Sequence, residues 1–269
     1  VEWTHPTDPD ALARVMRRAG TRKLTTDAAG EFRIEGRRLQ VTGQRAAVLG
    51  ARAVATRVQI PDLFNGDEHV LVDGQAEGAT SEFLNFIERS PIAELTGRAT
   101  RAISATGNGR FQLKLDLPIR RPAQTKVEAV YQVLANQIVV EGGVPPFSQV
   151  SGRLDISETG VSARELGAQF MGGTATVSFA SKTDGAVEFS GQGQGNVAMI
   201  RKYYDVPLLD KASGNTPWRG SLRVAKDALN LLVESPLTGV QVALPEPLNK
   251  AAAESWPLRM EFSNRGDAE

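Results

Sequence analysis

Phe111-Gln-Leu-Lys-Leu-Asp-Leu117 alternates apolar and polar residues without a break. With a period of two, Phe111, Leu113, Leu115 and Leu117 fall on one face of a strand, leaving Gln112, Lys114 and Asp116 in water. The same period recurs in Leu154 and Ile156 beside Arg153 and Asp155, in Ala175, Val177 and Phe179, and in Val187 and Phe189. Further on it organises Trp218, Leu222 and Val224 against Arg219, Ser221 and Arg223, then Leu229, Leu231 and Val233, then Leu258, Met260 and Phe262. Turn-forming clusters separate the runs: Gly107-Asn-Gly109, Ser157-Glu-Thr-Gly160, Gly172-Gly173, Ser181-Lys-Thr-Asp-Gly185 and Lys226-Asp227. Runs this close together connect as antiparallel hairpins and leave little room for helical crossovers. The fold class expected is mainly β, an antiparallel meander.

A few helical segments interrupt the strands. Asp8 to Arg18 carries an Asp cap, a Pro in the first turn and Leu12, Val15 and Met16 on one side. Thr80 or Ser81 opens a second, with Phe83, Phe86 and Ile87 on one face and Pro91 closing it. Asn196–Tyr203 and Asn249–Glu254 read as two more. Their placement divides the chain into a β block over 1–95 with short helices and a second over 96–269.

The 269 residues suffice for a substantial core, and 31 basic against 31 acidic side chains leave no net charge to draw nucleic acid. Residues 1–60 are locally basic, and their Lys and Arg read as a solvated face, with anionic lipid headgroups or a partner as the functional alternative. Cysteine is absent, so disulfides and thiolate metal sites are excluded. No apolar run reaches the roughly 18–20 residues that cross a bilayer. The opening Val1-Glu-Trp-Thr-His-Pro is neither a signal peptide nor a natural start, so a piece of a longer chain is expected.

Candidate chemistry is sparse. His5 and His69 stand apart without a carboxylate cluster, so no metal site is expected. No G-x-S-x-G elbow occurs. Gly191-Gln-Gly-Gln-Gly195-Asn196 imitates a dinucleotide loop but sits among hairpins, and reads as a Gly-rich strand end or bulge. The acid pairs Asp155/Glu158 and Asp205/Asp210 read as turn and strand-face residues. Aromatics make up 6% of the chain and do not interleave with basic residues, which argues against stacking on nucleic acid. Neither an enzyme nor a cofactor protein is indicated. What remains is the apolar face, which a packed sandwich, a closed barrel or an open groove would all produce from the same alternation.

Longer patterns carry a resemblance. Ser235-Pro-Leu-Thr-Gly-Val-Gln-Val-Ala-Leu-Pro-Glu-Pro-Leu-Asn-Lys250, followed by Trp256-Pro-Leu258, resembles the "SxLxGvxxxLPxPLxK…PL" segment of the YhdP family, in the AsmA/TamB-like group. Val144-Pro-Pro-Phe to Gly160-Val161 is similar to its "PFxxvxGxlxftexGv", and Leu166 to Gly173 to its "lxaxxlGG". Gly74 to Pro91 resembles "GxaxGxxxxxLxfixxSP", with Gly107 to Leu117 as the strand that follows. The resemblance covers roughly 50–262 and implies the C-terminal part of an inner-membrane-anchored, periplasmic protein of Gram-negative envelopes. It implies an antiparallel sheet curved into an elongated, taco-like open groove that carries phospholipid acyl chains toward the outer membrane. The expected lining is Phe111, Leu113, Leu115, Leu117, Leu154, Ile156, Val177, Phe179, Val187, Phe189, Leu222, Val224, Leu229, Leu231 and Val233. Expected partners are those acyl chains and the remainder of the polypeptide, with envelope proteins as partners if the sheet is instead an assembly scaffold. Neither metal nor nucleic acid is expected to bind.

Overall fold

The computed structural model describes residues 25–48, 51–88, 103–141, 144–225 and 228–265. The helix expected over Asp8–Arg18, His5, the basic residues before Arg33, Pro91 and the Lys226-Asp227 turn lie outside them. The strands are β1 (Thr25–Glu35), β2 (Arg38–Val48), β3 (Ala51–Ile60), β4 (His69–Ala79), β5 (Ile103–Pro118), β6 (Lys126–Val140) and β7 (Phe147–Ser157). They continue as β8 (Gly160–Phe170), β9 (Gly173–Ser181), β10 (Val187–Asn196), β11 (Ala212–Ala225), β12 (Ala228–Ser235), β13 (Val240–Val242) and β14 (Leu258–Arg265). Two short helices interrupt them, α1 (Thr80–Glu88) and α2 (Val197–Tyr203). All fourteen strands form one antiparallel sheet in which sequence order is spatial order, except that β13 pairs with the start of β11. The sheet is not closed: β1 and β14 are its two edges. Pairing runs on from β4 to β5 across residue 95, from His69↔Pro118 to Ala79↔Asn108.

Register fixes which side chains share a face, because partners across an antiparallel pair project to the same side. Phe32, Val41, Val58, Val72, Leu115 and Val127 face one another in succession from β1 to β6. Ala76, Phe111, Tyr131 and Leu154 form a row over β4 to β7, and Ala163, Phe179, Phe189, Leu222, Leu231 and Phe262 a row over β8 to β14. One face is therefore mainly apolar from edge to edge. The other carries ladders of opposite charge, such as Glu77–Arg110 at 3.0 Å and Arg219–Glu234–Arg259 at 2.8 and 3.1 Å. These exposed pairs set solubility and register more than stability.

Three successive strands each carry one extra residue: β6 at Ala135, β7 at Gln149 and β8 at Arg164-Glu165. Ala135 and Gln149 take left-handed backbone, with φ of 51° and 53°. Bulges bend a strand and increase its twist, and here the sheet curls so that its apolar face packs on itself. Tyr131, Val133, Val150, Ile156, Val161, Ala163, Leu166 and Ala168 are buried together.

Helix α1 folds over this packed region. Phe83 is buried between Phe111 and Tyr131, with ring centroids 5.8 and 4.8 Å away. At its first residue, Thr80 shares a 2.7 Å hydrogen bond with the Tyr131 hydroxyl and accepts another from the Asn136 side-chain amide. Gly107-Asn-Gly109, expected to be a turn, lies inside β5 and makes room for that cluster. A Cβ on Gly109 would come within 2.1 Å of the Tyr131 hydroxyl, and one on Gly107 (φ 112°) within 2.3 Å of Asn136 Oδ1.

Helix α2 forms within the expected Asn196–Tyr203, and Asn196 is its cap, accepting from the Met199 amide at 3.2 Å. The helix expected over Asn249–Glu254 is absent. Lys250 is buried there, and its ammonium donates to the carbonyls of Val240, Ala251 and Glu254 at 2.8, 3.1 and 2.7 Å. Ala251 O also accepts from the Glu254 amide at 3.1 Å, a single turn, and the segment winds around the ammonium into a compact knot instead of a helix. The knot is tied to the sheet by the Gly239 amide on Ala252 O (2.7 Å) and the Trp256 amide on Pro236 O (2.9 Å).

Two substitutions test this architecture by urea unfolding. Gly109→Ala is expected to cost about 1–3 kcal/mol through overpacking against Tyr131. Lys250→Met removes the buried ammonium that gathers the carbonyls of Val240, Ala251 and Glu254, and is expected to cost on the order of 3 kcal/mol. Wild-type midpoints for both would show that neither contact constrains the fold.

Candidate functional site

The strand directions give the sheet two long rims. The turns at 36–37, 61–68, 119–125, 158–159 and 182–186 share one, the turn rim. The other holds α1, the 141–146 and 171–172 connections, α2 with the 3₁₀ turn Pro207–Lys211, and the Lys250 knot; this is the helix rim. Both helices lean inward from it over the apolar face: α1 through Phe83, and α2 through Ile200, whose Cδ1 would be 3.7 Å from a Cβ on Gly195.

Register puts all fifteen of the expected lining residues, Phe111 through Val233, on this one face. Ile156 and Val187 are buried outright, and the others are half-buried. Burial divides the face lengthwise. Toward the helix rim Ala105, Val133, Val150, Leu166, Ala168 and Ala175 are covered. Toward the turn rim Leu115, Leu117, Val127, Phe179, Phe189, Leu222, Val224, Leu229 and Leu231 keep part of their surface in water, although Ile156, Val161 and Val187 are buried on that side too.

The face extends past the residues expected to line it. Val41, Val58, Val70, Val72 and Val127 continue it across β2 to β6, and at the edges Phe32, Ile34, Met260 and Phe262 are about half exposed or more. Glu31-Phe-Arg-Ile-Glu35 carries the same alternation that marked the other strands, so the signal for this extension is present in the sequence. Trp218 is a further contributor. Its indole lies over the glycines of β10, 3.4 Å from where a Cβ on Gly191 would sit and 3.5 Å from one on Gly195. β10 pairs regularly with both neighbours, so Gly191, Gly193 and Gly195 are the floor beneath the indole and not a bulge. Phe147 stacks on Phe170 at 4.2 Å, and Phe170 meets Trp218 edge-on at 5.5 Å, completing an aromatic border near the helix rim.

The opposite face has a different character. Ser178, Ser190 and Ser221 oppose one another there, and their small side chains leave a depression of about 880 Å³. It is edged by paired charges: Arg223 with Glu188 and Asp184, and Lys182 with Glu188 at 2.9 Å. Such a surface suits water better than a hydrocarbon chain. Among the described residues no three His, Asp or Glu side chains converge as metal ligands. Asp155 pairs with Arg153 at 2.7 Å, Glu158 accepts from the Val127 amide at 3.1 Å, and Asp210 pairs with Arg201 at 3.5 Å.

Charge gathers on the turn rim. Arg37 pairs with Asp62 (2.8 Å), Arg120 with Glu68 (3.0 Å) and Arg121 with Asp67 (2.7 Å). His69 Nδ1–H donates to Asp116 at 2.5 Å, and its Nε2 lies 3.7 Å from Asp67. The Asp116 hydrogen bond, helped by both negative charges, raises the His69 pKa above its ordinary value, while partial desolvation opposes it. Across the sheet, burial pushes the Tyr131 phenol up, and its bond to Thr80 pulls the other way.

A family model described as YhdP protein matches residues 23–269. No curated protein and no solved structure matches the chain. No helix among the described residues is long and apolar enough to cross a membrane.

Because the folded-state pKa of His69 is raised, its contribution to stability is fully present below the unfolded pKa and is lost as pH rises through the folded value. Asp116→Asn is expected to lower the His69 titration midpoint toward the ordinary 6.5 and flatten the pH dependence of stability in that window. NMR titration of the imidazole, told apart from His5 by a His5→Ala control, reads the shift directly. An unmoved midpoint would remove Asp116 as the cause.

Proposed function

We propose, from the fact that this chain belongs to the YhdP family and leaves much of one apolar sheet face half-exposed, that it is a segment of a periplasmic lipid-transfer protein. In this reading phospholipid acyl chains lie against the apolar face and move along it between inner and outer membrane, without covalent chemistry. The observation that carries the reading is the half-exposed band of Leu, Val and Phe in β5, β6 and β9 to β12, which belongs neither to a finished core nor to an ordinary wetted surface. Each methylene moved from water onto such a band gains about 0.8 kcal/mol. A sixteen-carbon chain therefore gains on the order of 10 kcal/mol before its ordering cost. Thirteen strands in sequence at about 4.8 Å apart make a path of about 60 Å.

A second reading is a scaffold that holds envelope proteins by the same sheet. The closely packed stretch from β6 to β8, where the face is filled by its own side chains, is the observation in its favour.

Leu115→Arg combined with Val177→Arg separates the two readings. Both residues are half-buried, so the variant is expected to stay folded by circular dichroism while losing co-purified phospholipid in native mass spectrometry. Undiminished lipid in a folded variant would sink the transfer reading for these positions. A wild-type protein that never carries lipid, with a protein partner captured in its place, would favour the scaffold.

A further inference from the structure

The two rims of the sheet are unlike, and the difference bears on how a lipid would sit. This argument rests on the lipid-transfer reading and adds an orientation to it. An acyl chain against the apolar face has a polar headgroup that must reach water past one rim or the other, because burying a phosphate without partners is strongly unfavourable.

The helix rim offers poor passage. Phe83 seals it over Phe111 and Tyr131, and the Thr80–Tyr131–Asn136 cluster fastens α1 there. Farther along, Ile200 of α2 closes over Gly195 beside Trp218, and the Phe147–Phe170–Trp218 border continues the cover. The surface beyond exposes Tyr203, Tyr204, Val206 and Leu208 among the charges of Arg201, Lys202, Asp205 and Asp210.

The turn rim contrasts in its connections and in the exposure beneath it, and it offers charge to a headgroup. Several of its connections are two to five residues long and place no helix on the face. The apolar side chains beneath it keep part of their surface exposed in β5, β6 and β9 to β12. Its own side chains mix both signs, with Arg37, Arg120, Arg121 and Lys182 alternating with Asp62, Asp67, Glu68 and Asp184. Guanidinium and ammonium groups are donors to a phosphodiester, and neighbouring carboxylates accept from a headgroup amine.

We infer that the trough opens sideways only along the turn rim, and that phospholipid headgroups ride in water along that rim while the helix rim stays shut. The occupant is a phospholipid with a charged phosphodiester headgroup. Motion from strand to strand then needs no headgroup to cross the apolar face.

The absence of cysteine makes the test clean. Single cysteines are placed at exposed positions on the turn rim, Thr159→Cys and Thr183→Cys, and on the helix rim, Val144→Cys and Leu208→Cys. Each purified chain is loaded with a phospholipid bearing a maleimide on its headgroup, and adducts are counted by mass spectrometry. Rates are normalised to a water-soluble maleimide. Turn-rim cysteines are expected to react about tenfold faster than helix-rim ones, a ratio equivalent to about 1.4 kcal/mol of preference. Equal rates, or faster reaction at Val144→Cys and Leu208→Cys, would overturn the orientation. A parallel sample carries a photoreactive diazirine in the acyl chain. Insertion into the apolar face with equal headgroup rates removes this inference alone, whereas no insertion anywhere on the face removes the lipid-transfer reading and this inference with it.

Discussion

Strict alternation in an antiparallel meander is the constraint on which the rest of the molecule depends. Adjacent strands transmit the parity of their side chains through register, so an apolar position in β1 dictates an apolar partner in β2, and so on to β14. A slip of one residue anywhere would invert every later strand. The bulges at Ala135, Gln149 and Arg164-Glu165 respect this limit in a simple way. Each adds one residue and places two consecutive side chains outside, Leu134 and Ala135, Ser148 and Gln149, Arg164 and Glu165. Alternation then resumes with Asn136, Val150 and Leu166 back on the inner face. The sheet thereby bends without turning inside out. An exposed Leu134 is the visible consequence.

A single sheet with one apolar face has no second layer to cover it, and the chain answers with curvature plus a few inserted pieces. Where the bulges bend the sheet, inner side chains cover one another. Where bending alone is insufficient, α1 supplies Phe83, and the β10 glycines let the Trp218 ring lie flat. The buried polar contacts at the root of α1 give this cover a definite position, since Thr80 meets both the Tyr131 hydroxyl and the Asn136 amide only where helix and sheet are docked as they are. The Lys250 knot does the same at the far end of the helix rim, replacing helical hydrogen bonds with carbonyls gathered on one ammonium.

Much of this was legible in the residues. Alternation located β5, β7, β9 to β12 and β14, though not β6 or β8, and it put the expected lining positions of each strand on one face, because parity is a local property that register only propagates. The mainly-β meander, α1 and α2 followed from the same local signals. Less legible were features decided by space. Gly107 and Gly109 carry the composition of a turn, yet they sit mid-strand because Tyr131 and Asn136, more than twenty residues away in sequence, need the volume. Ala135 and Gln149 give no hint of left-handed backbone, since neither residue favours it. Asn249–Glu254 has ordinary helical composition, and only the position of Val240 shows that Lys250 has other acceptors. Which half of the apolar face stays exposed depends on those same bulges and on α1, so the sequence named the face without its open side.

The regularity of the rows bears on whether such a face can serve for movement as well as for binding. A hydrocarbon chain shifted by one strand, about 4.8 Å, exchanges contacts with Phe189 and Leu222 for contacts with Leu222 and Leu231, which are equivalent in kind. Dispersion and burial depend on area and distance and lack directionality, so equivalent rows give nearly equal energies at successive positions. A row broken by buried polar groups would instead create wells and barriers worth several RT. Of the polar side chains that share the apolar face, Ser181 and Asn264 lie in the row nearest the turn rim, while Asn136, Thr216 and Ser235 are buried toward the helix rim. Between these margins two rows, Ala163 to Phe262 and Leu166 to Met260, run through Phe, Leu, Val and Met from β8 to β14, interrupted only by Gly and Ala, which remove contact area without adding polarity. Strong attraction to the face and weak discrimination along it therefore come from one feature, the repetition of apolar residues in register.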